Sequence, residues 1–157
     1  MTRFIPFAAV LPLILAAQPQ LATRKALTLE VVKVMASAAE AEAKRHNLRV
    51  AFAIVDEGGH LLYFQRMDGV NAGAVQVAQR KAESAALYKR PGKAFADRVA
   101  GEPQVMVLPG AFPFEGGLPI LHEGEVIGAI GVSGATSAQD AEIANAALGA
   151  LSKLVKK

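Results

Sequence analysis

The run Val50 to Val55 is apolar at every position, stops at Asp56-Glu57-Gly58-Gly59, and gives way to a second strand-like run from His60 to Arg66. An apolar stretch of that length suits a buried strand, and glycine accepts the positive φ that a tight turn demands. The pair is therefore a hairpin with a four-residue loop. The same pattern returns later: Leu118 to Leu121 and Glu125 to Val132 read as two strands across the turn His122-Glu123-Gly124. Consecutive hairpins favour an antiparallel sheet, and a sheet needs covering layers.

Helical segments supply those layers. Leu27, Val31, Val34, Met35 and Ala38 recur at three- and four-residue spacing, so a first helix is expected from a cap at Thr28 to about Arg45. Asn71 caps a second, Ala72 to about Lys89, whose alanines at 78, 82, 85 and 86 allow a neighbour to approach closely. Pro91-Gly92 ends it, and a short helical piece follows from Lys93 to Ala100. Val105 to Leu108 reads as a further strand and Pro109 to Gly117 as a loop. A last helix starts at Ser137, with Asp140 three residues on as a capping-box partner. The expected fold class is α+β, an antiparallel β-sheet flanked by helices.

The N-terminus differs from the rest. Arg3 precedes an almost wholly apolar run, Phe4 to Ala17, containing Pro6 and Pro12. It is shorter than the ~20 residues of a spanning helix. Its anatomy is that of an export signal, residues 1–17, cleaved before Gln18, which predicts a periplasmic or secreted protein with no stable membrane span. Of 17 basic residues only Arg3 lies in that run, so 16 remain against 14 acidic ones, a net of +2. That balance gives no argument for nucleic acid. Cysteine is absent, which excludes thiolate ligation, disulfides and covalent haem attachment through a cysteine motif. Stability must come from packing or self-association, and a homo-oligomer is expected.

Candidate chemistry is sparse. Of three histidines, His46 ends the first helix and carries little weight. His60 and His122 sit at the two hairpin turns, where neutral imidazole could ligate a metal or serve as an ordinary turn residue. Arg66 could pair with Asp68 or meet a carboxylate ligand. Lys81 and Ser84 share a helix face with Val77 and Arg80; a buried lysine there would need a partner or an anionic ligand. Gly128 to Gly134 has neither dinucleotide nor P-loop spacing, and its glycines suit close packing or approach of a flat ligand.

Taken in order, Ala53-Ile54-Val55-Asp56, Gly58-Gly59-His60-Leu61-Leu62, Arg66-Met67-Asp68-Gly69, Lys81-Ala82, Gly116-Gly117-Leu118-Pro119-Ile120 and Gly128 to Gly134 with Asp140 resemble the GlcG/HbpS family, which includes the C-terminal domain of PduO-type corrinoid adenosyltransferases. The resemblance spans residues 25–155, and a single domain is assigned to residues 25–157. It implies a profilin- or PAS-like fold, homo-oligomers, and haem as the cofactor, held for binding, degradation or sequestration. A corrinoid or a small organic acid acted on by an enzyme or accessory protein is the alternative, and an oligomeric structural or sensory module is another. The segment Lys81 to Ser84 resembles a lysine–threonine stretch of haem-binding members, with serine at the threonine position. The expected cofactor residues are His60, His122 or Ser84 as axial donor, and Arg66 or Lys81 for the propionates. His60 is the preferred metal ligand.

Overall fold

A computed structural model describes residues 20–155; the expected export signal lies outside the described residues. The elements are α1 (Leu29–Arg45), β1 (Ala51–Asp56), β2 (Leu61–Arg66), α2 (Ala72–Leu87), α3 (Gly92–Val99), a 3-10 helix (Pro103–Val107), β3 (Gly117–His122), β4 (Glu125–Ser133) and α4 (Ser137–Val155). The four strands form one antiparallel sheet in the order β2-β1-β4-β3. The fold is α+β, as the paired hairpins require.

Side-chain alternation explains the layers. On one face Phe52, Ile54, Ile130 and Val132 join Val32, Met35 and Ala39 of α1 and Ile143, Ala144 and Ala147 of α4 in the main core. On the other, Ala51, Ala53, Val55 and Ala129 meet Ala74, Ala78, Ala82, Ala85 and Ala86 of α2. β1 is thus covered on both sides, which is why its sequence shows no polar alternation. The second face is built from small residues, and α2 rests almost directly on the strands. A Cβ on Gly131 would lie 2.2 Å from the Ala78 carbonyl oxygen and 2.4 Å from the Ala82 nitrogen; one on Gly117 would lie 2.4 Å from the Lys81 carbonyl oxygen.

Two expectations need correction. Val105 to Leu108 is not a strand: residues 103–107 form a 3-10 helix closed by Val105 N–H to Glu102 and Leu108 N–H to Val105. Pro103 and Pro109 bracket the run, and only Val105 of the four is buried. An apolar run that stays on the surface has no sheet to join. The cap of α4 is also displaced by one residue. Thr136 and Gln139 make the reciprocal pair, with Gln139 N–H donating to Thr136 Oγ1 and Thr136 N–H to Gln139 Oε1. Asp140 is thereby released for another partner.

The close approach of α2 predicts the cost of filling it. Gly131→Ala must push helix backbone away from strand backbone, and overpacking of this kind costs about 1–3 kcal/mol. Urea unfolding should show that loss for Gly131→Ala, whereas Gly149→Ala, whose Cβ meets nothing within 4 Å, should not destabilise.

Candidate functional site

The strand register sorts the expected site residues into two ends of the sheet. Asp56 pairs with Gly128, close to the start of β4, so both hairpin turns lie at one end. His60 and His122 are there. At the other end Ala51 pairs with both Arg66 and Ser133. His60 lies in the turn, and the register slips between Ile54 and Val55. The alternation that would put His60 and Arg66 on one face is therefore broken.

Arg66 does not pair with Asp68. Its guanidinium donates to the Val70 carbonyl oxygen and closes the Met67–Gly69 turn. It lines a cleft of about 450 Å³ with Glu40, Lys44 and Arg49, remote from both hairpin turns.

Lys81 is only 2% exposed and lies under α2. Its Nζ donates to Asp140 Oδ2 at 2.8 Å and to the Val132 carbonyl oxygen at 2.9 Å. The route from α2 to α4 passes Gly116, where a Cβ would stand 2.9 Å from the ammonium nitrogen and 2.8 Å from Asp140 Cβ. Asp140, also 2% exposed, accepts a second bond from Ala135 N–H at 3.1 Å. Burial pushes its carboxyl above the ordinary value, against the pull of Lys81 and of the Ala135 amide. The buried lysine has found its partner within the chain. Ser84, one turn along α2, is buried as well, and its Oγ accepts the Phe112 N–H at 2.9 Å. A further turn on, Tyr88 donates its hydroxyl to the Pro109 carbonyl oxygen at 2.6 Å. Ser84 and Tyr88 together tie the 109–112 loop to α2.

His60 stands in the open, its side chain 82% exposed. Asp56 organises the turn around it: Oδ1 accepts the backbone N–H of Gly58 at 2.9 Å and of His60 at 2.8 Å, and both carboxylate oxygens lie 3.2 Å from His60 Nδ1. Partial burial raises the Asp56 carboxyl, but the hydrogen bonds from His60 and Gly58 together outweigh it and hold the group below its ordinary value. An ionised carboxylate only accepts, so in neutral His60 the proton sits on Nδ1 and Nε2 keeps its lone pair. A carboxylate behind a metal-ligating histidine imposes the same orientation. His122 is half-buried at the end of β3, its Nε2 3.8 Å from Glu123.

The surface beside the histidine turn is mixed, with Glu83 and Leu87 of α2 both against Gly59. Leu61 and Leu62 follow it and are exposed. A Cβ on Gly59 would lie 3.7 Å from Leu87 Cγ, and one on Gly110 2.8 Å from Leu87 Cδ1. Exposed Leu87 therefore sits between the histidine turn and the 110 loop, which follows exposed Met106, Val107 and Leu108. The sequence reading singles out His60 only as a candidate and misses Asp56 as the group that orients its ring, although the four-residue spacing across a Gly-Gly turn is the available signal. It also misses Asp140 as the partner of Lys81, because 59 residues separate them.

The chain is a three-layer α/sheet/α domain with an exposed, carboxylate-oriented imidazole at a glycine turn. Residues 27–149 match the family described as haem degrading protein HbpS-like, and the chain belongs to that family. It is 38% identical over 112 residues to Protein GlcG of Escherichia coli K12, covering 71% of this chain and 84% of that protein. Among solved structures it is similar to a double mutant of Streptomyces reticuli HbpS, with a TM-score of 0.79, 32% identity and coverage of 92% and 97% of the two chains. It is also similar to PduOC in a complex with haem, with a TM-score of 0.74, 26% identity and coverage of 80% and 95%.

The Lys81–Asp140 pair yields a prediction. Removing one partner strands a buried charge and costs about 3–5 kcal/mol, while replacing both by apolar residues of similar size is close to neutral. Lys81→Met and Asp140→Leu should each destabilise strongly in urea, and the double variant should recover most of the loss. Additive losses would show that the two side chains act independently.

Proposed function

We propose that this protein is an exported haem-binding protein in which His60 is the axial ligand. The observation that carries the reading is the state of the His60 ring: Nδ1 held against Asp56, and Nε2 left with its lone pair on an exposed side chain, with exposed Leu61 and Leu62 next in the chain and Leu87 against Gly59. Neutral imidazole with a fixed tautomer is a good ligand for haem iron, and the leucines supply apolar contact for the macrocycle. Membership of the HbpS-like family, and the similarity to a domain solved with haem, support the same ligand.

His122 is the weaker donor, because its ring is half-buried and stands near Glu123. Ser84 is committed to the 109–112 loop and Lys81 to Asp140, so neither enters this site. The exposed strip of Leu87, Met106, Val107 and Leu108 leaves one side of the ligand to be covered by a second copy, which supports a homo-oligomeric working form. The role assigned is uptake and sequestration of haem outside the cytoplasm, with Arg3 and the apolar run to Ala17 as the export signal. Among the described residues no helix is long and apolar enough to cross a membrane.

Native mass spectrometry of protein recovered from the periplasm or medium tests export, assembly and ligand together. A chain beginning near Gln18, in an oligomer that takes up one haem per subunit, is the expected result. His60→Ala should shift the Soret band and weaken ferric haem binding by about tenfold or more, the equivalent of roughly 1.4 kcal/mol. His122→Ala should do less. An unchanged spectrum and affinity in His60→Ala would contradict imidazole ligation by this residue. Steady bleaching of the bound Soret band without added reductant would contradict sequestration.

A further inference from the structure

A haem presents two carboxylates as well as an iron, and neither cation expected from the sequence stands near His60. Lys81 is enclosed with Asp140, and Arg66 closes a turn at the opposite end of the sheet. A cleft of about 640 Å³ opens at the His60 end instead. Arg24 and Lys25 line it from the segment before α1, Lys89 from the end of α2, Glu57 from the histidine turn, and Glu125 from the second hairpin. We propose that Lys89, supported by Arg24 and Lys25, anchors the carboxylates of the ligand. The site would then select a flat apolar ring with acidic groups along one edge. This inference rests on the haem reading above.

Three observations carry it. The first is order in space. Leu87 adjoins Gly59, next to His60, and Lys89 lies two residues beyond Leu87. Glu57 of the histidine turn lines the cleft together with Lys89, so the cations share one end of the sheet with His60. The second is local backbone. Lys89 has φ +51° immediately after Tyr88, which caps α2. That left-handed position usually carries glycine. A lysine there accepts backbone strain and sets an ammonium group at the negative end of the helix dipole. The third is availability. Neighbouring cations are engaged: Lys93 with Asp97, and Arg90 over the Phe95 ring. Arg24, Lys25 and Lys89 make no side-chain hydrogen bond or ion pair among the described residues. With three cations to two carboxylates, the cleft has a positive excess that favours an acidic ligand.

The test compares ferric protoporphyrin IX with its dimethyl ester, which keeps the ring and the iron but removes both charges. Titrations in matched detergent would use the wild type, Lys89→Glu, Lys89→Ala and Arg49→Glu. Arg49 lines the cleft at the far end of the sheet and serves as the charge control. Circular dichroism checks that each variant is folded. The wild type should bind the diacid at least about tenfold more tightly than the ester. Lys89→Ala should narrow that preference, Lys89→Glu should narrow it by about tenfold, and Arg49→Glu should leave it intact. Equal binding of diacid and ester by the wild type would overturn the anchor and leave haem binding by His60 standing. Equal narrowing by Arg49→Glu and Lys89→Glu would overturn it too, because the effect would then be general charge. Uptake of neither porphyrin would overturn both readings together.

Discussion

The contact between the backbone of α2 and the glycines of β3 and β4 sets the geometry of everything around it. With no side chains at Gly117 and Gly131, the helix settles onto the sheet at a separation that a methyl group would disturb. Lys81 lies on the face of α2 that meets these glycines, its Cβ 3.0 Å from where one on Gly131 would stand. It runs past Gly116, another position without a Cβ, and ends on Asp140 at the start of α4. A single buried ion pair thus joins helices on opposite faces of the sheet. Such a pair contributes less to net stability than to register, since both charges must be desolvated to form it. Its fit depends on the release of Asp140 from capping, which Thr136 and Gln139 perform in its place.

That packing also explains the placement of the site. Among the described residues no buried side-chain nitrogen or oxygen lacks a partner. Ser84 and Tyr88 fasten the 109–112 loop to α2 and hold the Gly110 turn against Leu87. The hairpin turn of His60 lies outside this network and is organised by Asp56 alone. An exposed donor on a rigid hairpin can vary without disturbing the core. Members of one family can therefore share the sheet and differ in what they hold.

The sequence made some of this legible and concealed the rest for identifiable reasons. Thr28 and Asn71 cap α1 and α2 as their side-chain chemistry predicts, and the Gly-Gly and Glu-Gly turns mark both hairpins. These are local signals, decided within a few residues. Val105 to Leu108 reads as a strand, where the 3-10 helix Pro103–Val107 stands, because an apolar run does not state whether a partner awaits it. Arg66 can be expected to meet Asp68 or a carboxylate ligand, yet it donates to the Val70 carbonyl oxygen. Lys81 was recognised as a group in need of a partner, yet nothing local points to Asp140. Only the three-dimensional route past Gly116 connects them.

The central claim is that a histidine nitrogen at the glycine turn binds iron. With His46 and His122 both changed to Gln, His60 is the one histidine left in the chain. Electron–nuclear double resonance on the ferric haem complex of that variant, made with 15N-labelled histidine, reads the bond directly. A strongly coupled 15N from a single imidazole is the expected result. A ferric complex of undiminished affinity with no coupled histidine nitrogen would contradict the claim.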